Sequence, residues 1–267
     1  MNGIKICPLS SGSSGNCILI KAGRATALVD CGITGKAACI ELQRIGVSPD
    51  EIDALIVTHE HTDHTSGVGV MSRKFNIPVY ATIGTWKAMI NSLGKINPLL
   101  IHYIAPEVPF SINGATFHPF KTSHDAEESI GLVFTNGEKY GAVATDMGTV
   151  SRHIFELLSV CSVILVEANH DEAMLINGPY PVNLKERILS DMGHLSNRVC
   201  GALCAKLVRE GKLRKIILGH LSKDNNTPAL AYNTVFNSID ASCPDILNDI
   251  ELFVADRYTA REEVSDE

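Results

Sequence analysis

The chain has 267 residues, 45% of them hydrophobic and 20% charged, and a formal net charge of −7. That composition excludes a mainly disordered chain, and no apolar run approaches the ~20 residues a membrane-spanning helix needs. The negative charge excludes a protein that coats nucleic acid through a global positive field, so any polynucleotide must be met at a local site.

Strands are predicted at residues 4–9 and 17–21. The segment between them, Ser10-Ser11-Gly12-Ser13-Ser14-Gly15-Asn16, reads as the tight connection of a β-hairpin and also offers N–H and hydroxyl donors to a phosphate, with Ser14 and Asn16 as candidate contacts. A strand at 25–29 ends in Asp30, and a helix follows over 36–45. Residues 53–58 form a short continuous apolar run, the pattern of a strand buried on both faces. A helix over 67–75, a strand at 78–81 and a helix over 85–93 come next. The middle is strand-rich, at 100–104, 115–120, 130–134 and 140–145. Alternation then returns: helix 151–158, strand 162–168, helices near 184–191 and 197–210, strand 215–219, helix 229–238 and strand 251–254. Helices in both halves with strand meanders between them predict an α/β fold, a four-layer αββα sandwich. One domain is expected over residues 1–260, with 261–267 a charged, frayed tail that holds Glu262, Glu263, Asp266 and Glu267.

Eight cysteines without a Cys-x-x-Cys pair, in a chain of this length, predict reduced and mostly buried thiols; Cys200 and Cys204 fall on one helical stripe. The N-terminus lacks a basic start and an apolar h-region, so a cytoplasmic protein is expected.

Three of the ten histidines fall within six residues, in His59-Glu60-His61-Thr62-Asp63-His64, where the buried strand leaves its sheet. In a turning loop His59 and His61 can face one way, while Asp63 and His64 turn towards a neighbouring position. Imidazole and carboxylate together suit Zn, Mn or Fe. Further ligands should share the same grammar of strand, polar residue and turn. His124, Asp146 and His220 each do. His102, His118 and His153 lie inside strand-like or helix-like stretches and are read as structural.

These residues resemble the metallo-β-lactamase superfamily over nearly the whole chain. The resemblance implies one metal ion on His59, His61 and His124, a second on Asp63, His64 and His220, Asp146 bridging them, and Asp30 supporting the metal loop from behind. Further segments narrow it: the Ser10–Asn16 loop, Glu167-Ala168-Asn169-His170-Asp171, Gly178-Pro179-Tyr180-Pro181, Gly193-His194-Leu195-Ser196-Asn197, and the run from His220 to Pro228 resemble the YycJ (WalJ) subgroup, described as metal-dependent exonucleases that degrade DNA from a 5′ end.

That resemblance implies a dinuclear phosphodiesterase acting on DNA through a hydroxide shared by two divalent ions, with Asp63 and His194 as catalytic residues. Ser196 or Asn197 can cap the following helix and direct its N–H groups at a phosphate. His170 is a candidate for substrate contact or for support of the site. Ser222, Asn225 and Asn226 can meet phosphate or base, or form an ordinary Asn-rich turn. The basic run Lys206, Arg209, Lys212, Arg214 and Lys215 is a solvated helix face or a track for the DNA backbone. Two alternatives stay open: a hydrolase of small cyclic phosphodiesters, esters or lactones on the same fold, and a metal-binding regulatory protein without catalysis.

Overall fold

The computed structural model describes residues 3–260 and 264–266. Among them the strands in chain order are β1 (Ile4–Ser10), β2 (Cys17–Ala22), β3 (Ala25–Val29), β4 (Ala54–Ile56), β5 (Val79–Thr82), β6 (Ile101–Ile104), β7 (Phe110–Ile112), β8 (Ala115–Lys121), β9 (Ile130–Thr135), β10 (Tyr140–Ala144), β11 (Val163–Glu167), β12 (Lys215–Gly219), β13 (Glu251–Val254) and β14 (Val264–Asp266). The helices are α1 (Gly35–Arg44), α2 (Thr62–Thr65), α3 (Val68–Phe75), α4 (Ile83–Met89), α5 (Arg152–Leu158), α6 (Glu172–Asn177), α7 (Val182–Leu189), α8 (Asn197–Arg209) and α9 (Pro228–Ser242).

The strands form two mixed seven-stranded sheets, ordered β14-β1-β2-β3-β4-β5-β6 and β13-β12-β11-β10-β9-β8-β7. In each, an antiparallel meander leads into parallel strands: β3 to β6 in the first sheet and β10 to β13 in the second.

Alternation along the strands builds three apolar layers. In β2, Ile18 and Ile20 face the other sheet, while Cys17 and Leu19 face the helices of their own side. In β12, Ile217 lies between the sheets, and Ile216 and Leu218 pack towards α8 and α9. The layer between the sheets gathers Ile4, Ile6, Phe117, Phe134 and Leu165; the outer layers hold Leu42, Met71 and Trp86 on one side and Leu158, Leu207 and Val235 on the other. Three buried layers need four layers of structure, which is the αββα sandwich. Thr34, Ser196 and Thr227 cap α1, α8 and α9, each side chain accepting a hydrogen bond from a backbone N–H of the first turn. All eight cysteines are free thiols, and Cys200 and Cys204 sit 4.0 Å apart, sulfur to sulfur, within the core face of α8.

Three local features depart from expectation. Strand β7 is an added short strand, joined to β8 by Asn113-Gly114, whose φ angles of 46° and 87° make the two-residue hairpin turn those residues favour. Helices α2 and α6 are single short turns without apolar periodicity of their own. In the expected frayed tail, Val264–Asp266 instead pairs antiparallel with β1 as an edge strand.

One close approach locks the metal loop onto the sheet. A methyl group at Gly32 would lie 1.6 Å from the carbonyl oxygen of Asp63 and 2.8 Å from the nitrogen of His64. Cys31 N donates to His64 O at 2.9 Å, and Gly67 N to Cys31 O at 2.7 Å. Gly32→Ala therefore forces two backbone segments apart. We expect a loss of about 3 kcal/mol in denaturant unfolding, or failure to fold, since overpacking against backbone has no side chain that can give way. An unchanged unfolding midpoint would contradict this packing.

Candidate metal centre

Polar residues that follow strands converge on one edge. Asp30 follows β3, His59 follows β4, His124 follows β8, Asp146 follows β10 and His220 follows β12. Parallel strands deliver their C-terminal ends to the same side, so residues far apart in sequence meet where the two sheets face each other. Asp30, Asp146 and His220 all have positive φ, at 61°, 57° and 54°. Left-handed backbone at a non-glycine residue is costly and concentrates at functional sites. Here it turns each side chain out of its strand and into the cluster.

The donor atoms stand at the spacing of a shared ion. His61 Nδ1 lies 3.3 Å from His124 Nε2, and His124 Nε2 lies 3.7 Å from Asp146 Oδ1. On the other flank, His64 Nε2 is 3.4 Å from Asp146 Oδ2 and 3.6 Å from Asp63 Oδ2, and His220 Nε2 is 3.6 Å from Asp63 Oδ2. The edge of a tetrahedron with bonds of about 2.1 Å is about 3.4 Å. His59 Nε2, Asp146 Oδ2 and His220 Nε2 are buried and have no hydrogen-bond partner. Buried polar atoms are almost always satisfied, so three orphans converging on one place fit a divalent cation as the missing partner. Donor atoms close enough to hold an ion group as His59–His61–His124, Asp63–His64–His220, His59–His64–Asp146 and Asp146–Glu167–His194–His220.

Carboxylates behind the cluster orient the imidazoles. Asp30 is fully buried; its Oδ2 lies 2.7 Å from His64 Nδ1, and it accepts from Thr58 N and Thr58 Oγ1, each at 2.8 Å. Thr58 Oγ1 in turn sits 3.0 Å from His59 Nδ1. Asp30 thus fixes both ends of the turn that carries the first ligands.

Glu167, at the end of β11, has the same role on the other flank and was named in the sequence only as part of a motif. Its Oε1 lies 2.7 Å from His194 Nδ1 and 2.9 Å from His220 Nδ1, and its Oε2 accepts from Met147 N at 3.1 Å and Leu195 N at 3.3 Å. A fully buried acid closing a strand was the available signal.

Burial opposes charge on His64, but the carboxylates of Asp30, Asp146 and Asp63 outweigh it and lift its pKa to about 9. His220 is likewise raised against burial by Asp146, Asp63 and Glu167. His59, buried among other imidazoles without a compensating acid, is pushed well down. A metal ion must therefore displace protons from His64 and His220. Apparent metal affinity should rise steadily between pH 6.5 and 9 in chelator competition. The metal-free chain should show the opposite trend: a pKa raised in the folded state stabilises below the unfolded value, and that stability is lost as pH rises through 9. An affinity independent of pH would contradict the charge state drawn here.

The remaining predicted residues divide. The His194 ring sits between His124 and His220, with centroids 5.1 and 5.3 Å away, and keeps an 18% exposed side chain. Asn16 Nδ2 lies 3.1 Å from His64 Nε2, and Ser11 Oγ accepts from His220 N at 2.9 Å, so the Ser10–Asn16 loop borders the centre while Ser13 and Ser14 stay exposed. Ser196 caps α8 and also donates to Glu172 Oε1. Asn197 is a correction: it is buried and exchanges hydrogen bonds with Asn226, because its place in the first turn of α8 turns it into the protein. Asn225 is also fully buried, its backbone nitrogen donating to the buried Ser222 Oγ. His170 is 1% exposed, with neither ring nitrogen bonded. Lys215 begins the strand that His220 follows, which separates them by roughly 16 Å, and it pairs with Glu251. The basic run lies at the opposite edge, away from the metal centre. His118 and His153 both meet Glu107, and His102 stacks on Tyr80, all outside the cluster.

Two facing sheets with a histidine–carboxylate centre on one edge define a metallohydrolase class. Residues 26–221 match the beta-lactamase superfamily domain, and the chain belongs to that family. It is 39% identical over 239 residues to "Exodeoxyribonuclease WalJ" of Streptococcus pneumoniae serotype 2, a match covering 89% of this chain and 88% of that one. It is 36% identical over 239 residues to "Exodeoxyribonuclease YycJ" of Bacillus anthracis, covering 87% and 88%. The crystal structure of Zn(2+)-bound PqqB from Methylobacterium extorquens shares the fold, with a TM-score of 0.70 at 14% identity over 97% of this chain and 99% of that one.

Proposed function

We propose that the protein is a dinuclear metal-dependent phosphodiesterase that degrades DNA from a 5′ end. The observation that carries this reading is the pair of ligand sets meeting at Asp146, in a chain similar over most of its length to proteins named exodeoxyribonucleases. His59, His61 and His124 would hold one ion, Asp63, His64 and His220 the other, and Asp146 both. Bound there, two Zn, Mn or Fe ions supply a water of lowered pKa and neutralise charge on phosphoryl oxygens.

The chain's own groups do the rest. Asp30 and Glu167 hold the imidazoles in place through Nδ1. Glu167 holds His194 the same way, leaving Nε2 to give a proton to the leaving oxygen. The Ser10–Asn16 loop, which meets His64 through Asn16 and His220 through Ser11, carries the exposed Ser13 and Ser14. Free cysteines throughout support action in a reducing compartment such as the cytoplasm.

The test is hydrolysis of a duplex labelled at either end, with Mn²⁺, Zn²⁺ or Fe²⁺ supplied and occupancy measured. Early release of the 5′ label is expected. A fully loaded protein that leaves both labels intact with every metal overturns the reading.

A further inference from the structure

One cation at the rim is unexplained by the metal chemistry. Strand β13 lies parallel beside β12, with Leu218 opposite Val254 and Ala255 N donating to Leu218 O at 2.8 Å. The residues after β13 therefore emerge at the same edge as His220, one strand spacing away, about 4.8 Å. Arg257 stands there. Arg257 is part-buried, and among the described residues its buried Nη1 has no hydrogen-bond partner and no carboxylate forms an ion pair with it. Two acids of the surrounding segments accept hydrogen bonds elsewhere: Asp256 Oδ1 from the backbone N–H groups of Tyr258 and Thr259, and Asp224 Oδ2 from the Tyr180 hydroxyl.

This guanidinium is held against the Ser10–Asn16 loop. A methyl group at Gly12 would lie 2.8 Å from Arg257 Nη1 and 3.2 Å from the carbonyl oxygen of Leu221, the residue after His220. Ser10 Oγ reaches both Arg257 O at 2.7 Å and Gly15 O at 2.8 Å, and Ser11 N donates to Asp256 O at 3.1 Å. Loop and arginine are thus one rigid unit, whose far end places Asn16 against His64. A buried guanidinium N–H₂ without a partner is costly unless an anion completes it.

We propose that Arg257 anchors a phosphate of the nucleic-acid strand next to the one that is cut, assisted by the exposed Ser13 and Ser14 hydroxyls. Tyr258 beside it is 63% exposed and offers a face for a base. The anchor rests on the phosphodiesterase reading and names the part of the substrate it holds. A terminal phosphate monoester and an internal diester share the chemistry it recognises.

The test compares wild type, Arg257→Gln, Arg257→Lys and, as a control on the opposite edge, Lys212→Gln. Binding is read by fluorescence anisotropy on a 3′-labelled DNA duplex whose phosphorothioate linkages resist cleavage, with and without a 5′-phosphate. Arg257→Gln should weaken binding about tenfold and lower the log–log salt slope by about 0.9; Arg257→Lys should keep the slope, and Lys212→Gln should change neither. Hydrolysis of a small chromogenic phosphodiester should stay within about twofold for all of them. Loss confined to 5′-phosphorylated DNA identifies the terminal monoester, and equal loss on both ends the internal diester. Unchanged DNA affinity in Arg257→Gln, an equal effect in Lys212→Gln, or a parallel loss on the chromogenic diester overturns the anchor. A wild type that neither binds DNA nor cuts any phosphodiester overturns the proposed function itself, and the anchor with it.

Discussion

Asp146→Asn should reduce phosphodiester hydrolysis on the order of 10³-fold and lower bound metal below one ion per chain. Asparagine is the informative replacement because it tolerates the left-handed backbone at this position, where alanine would add strain. It also keeps the side-chain volume. What it removes is the carboxylate charge that lies 3.4 Å from His64 Nε2 and 3.7 Å from His124 Nε2. Asp146 lies beside a ligand of each set, so both ions should weaken together. Elemental analysis of the dialysed protein, with circular dichroism to verify folding, decides the matter. Retention of two ions with full activity would remove Asp146 from its bridging position.

Glu167→Gln should lower metal affinity by 10- to 100-fold and reduce turnover by a similar factor, although Glu167 touches no ion in the proposed arrangement. Four donors converge on this carboxylate: two imidazole nitrogens and the N–H groups of Met147 and Leu195. A glutamine presents its own N–H₂ to one pair of them, so donor faces donor and the rings of His194 and His220 lose their orientation. Each buried unsatisfied group costs about 1–3 kcal/mol, so thermal stability should fall as well. His194→Ala provides the contrast. It should slow turnover while leaving metal content intact, because His194 belongs to neither ligand set in the proposed arrangement. If Glu167→Gln also kept its metal and its melting temperature, the shared carboxylate would be dispensable.

Much of the sandwich was legible in the chain because its signals are local. Alternating or continuous apolar runs bounded by turn residues marked nearly every strand, and α1, α3, α8 and α9 carried apolar stripes. Elements without such a stripe were missed. Helix α2 consists of the ligand loop itself, Thr62–Thr65, and its form comes from being clamped between Asn16 and Gly32. Strand β7 has three residues and exists because Asn113-Gly114 folds it onto β8; that dipeptide was the overlooked cue.

The candidate ligands were readable for a related reason. A metal centre on a sheet edge recruits residues that end strands, so one local grammar picked out His124, Asp146 and His220 across almost 100 positions of chain. That grammar says which residues reach the edge; it is silent on what each meets there. Only tertiary packing decided that Asn197 would be spent on Asn226, that the basic run would lie at the wrong end of β12, and that one carboxylate, Glu167, would serve two histidines. The same holds for Arg257, which becomes notable only when β13 is laid beside β12 and its Nη1 is found buried without a hydrogen-bond partner among the described residues. Length and patterning determined a sandwich, and the net charge of −7 meant that any polyanion must be met at a local site. Which side chains share a proton, an ion or a phosphate depends on distances of about 3 Å between residues far apart in sequence, and those distances are set by how the two sheets pack.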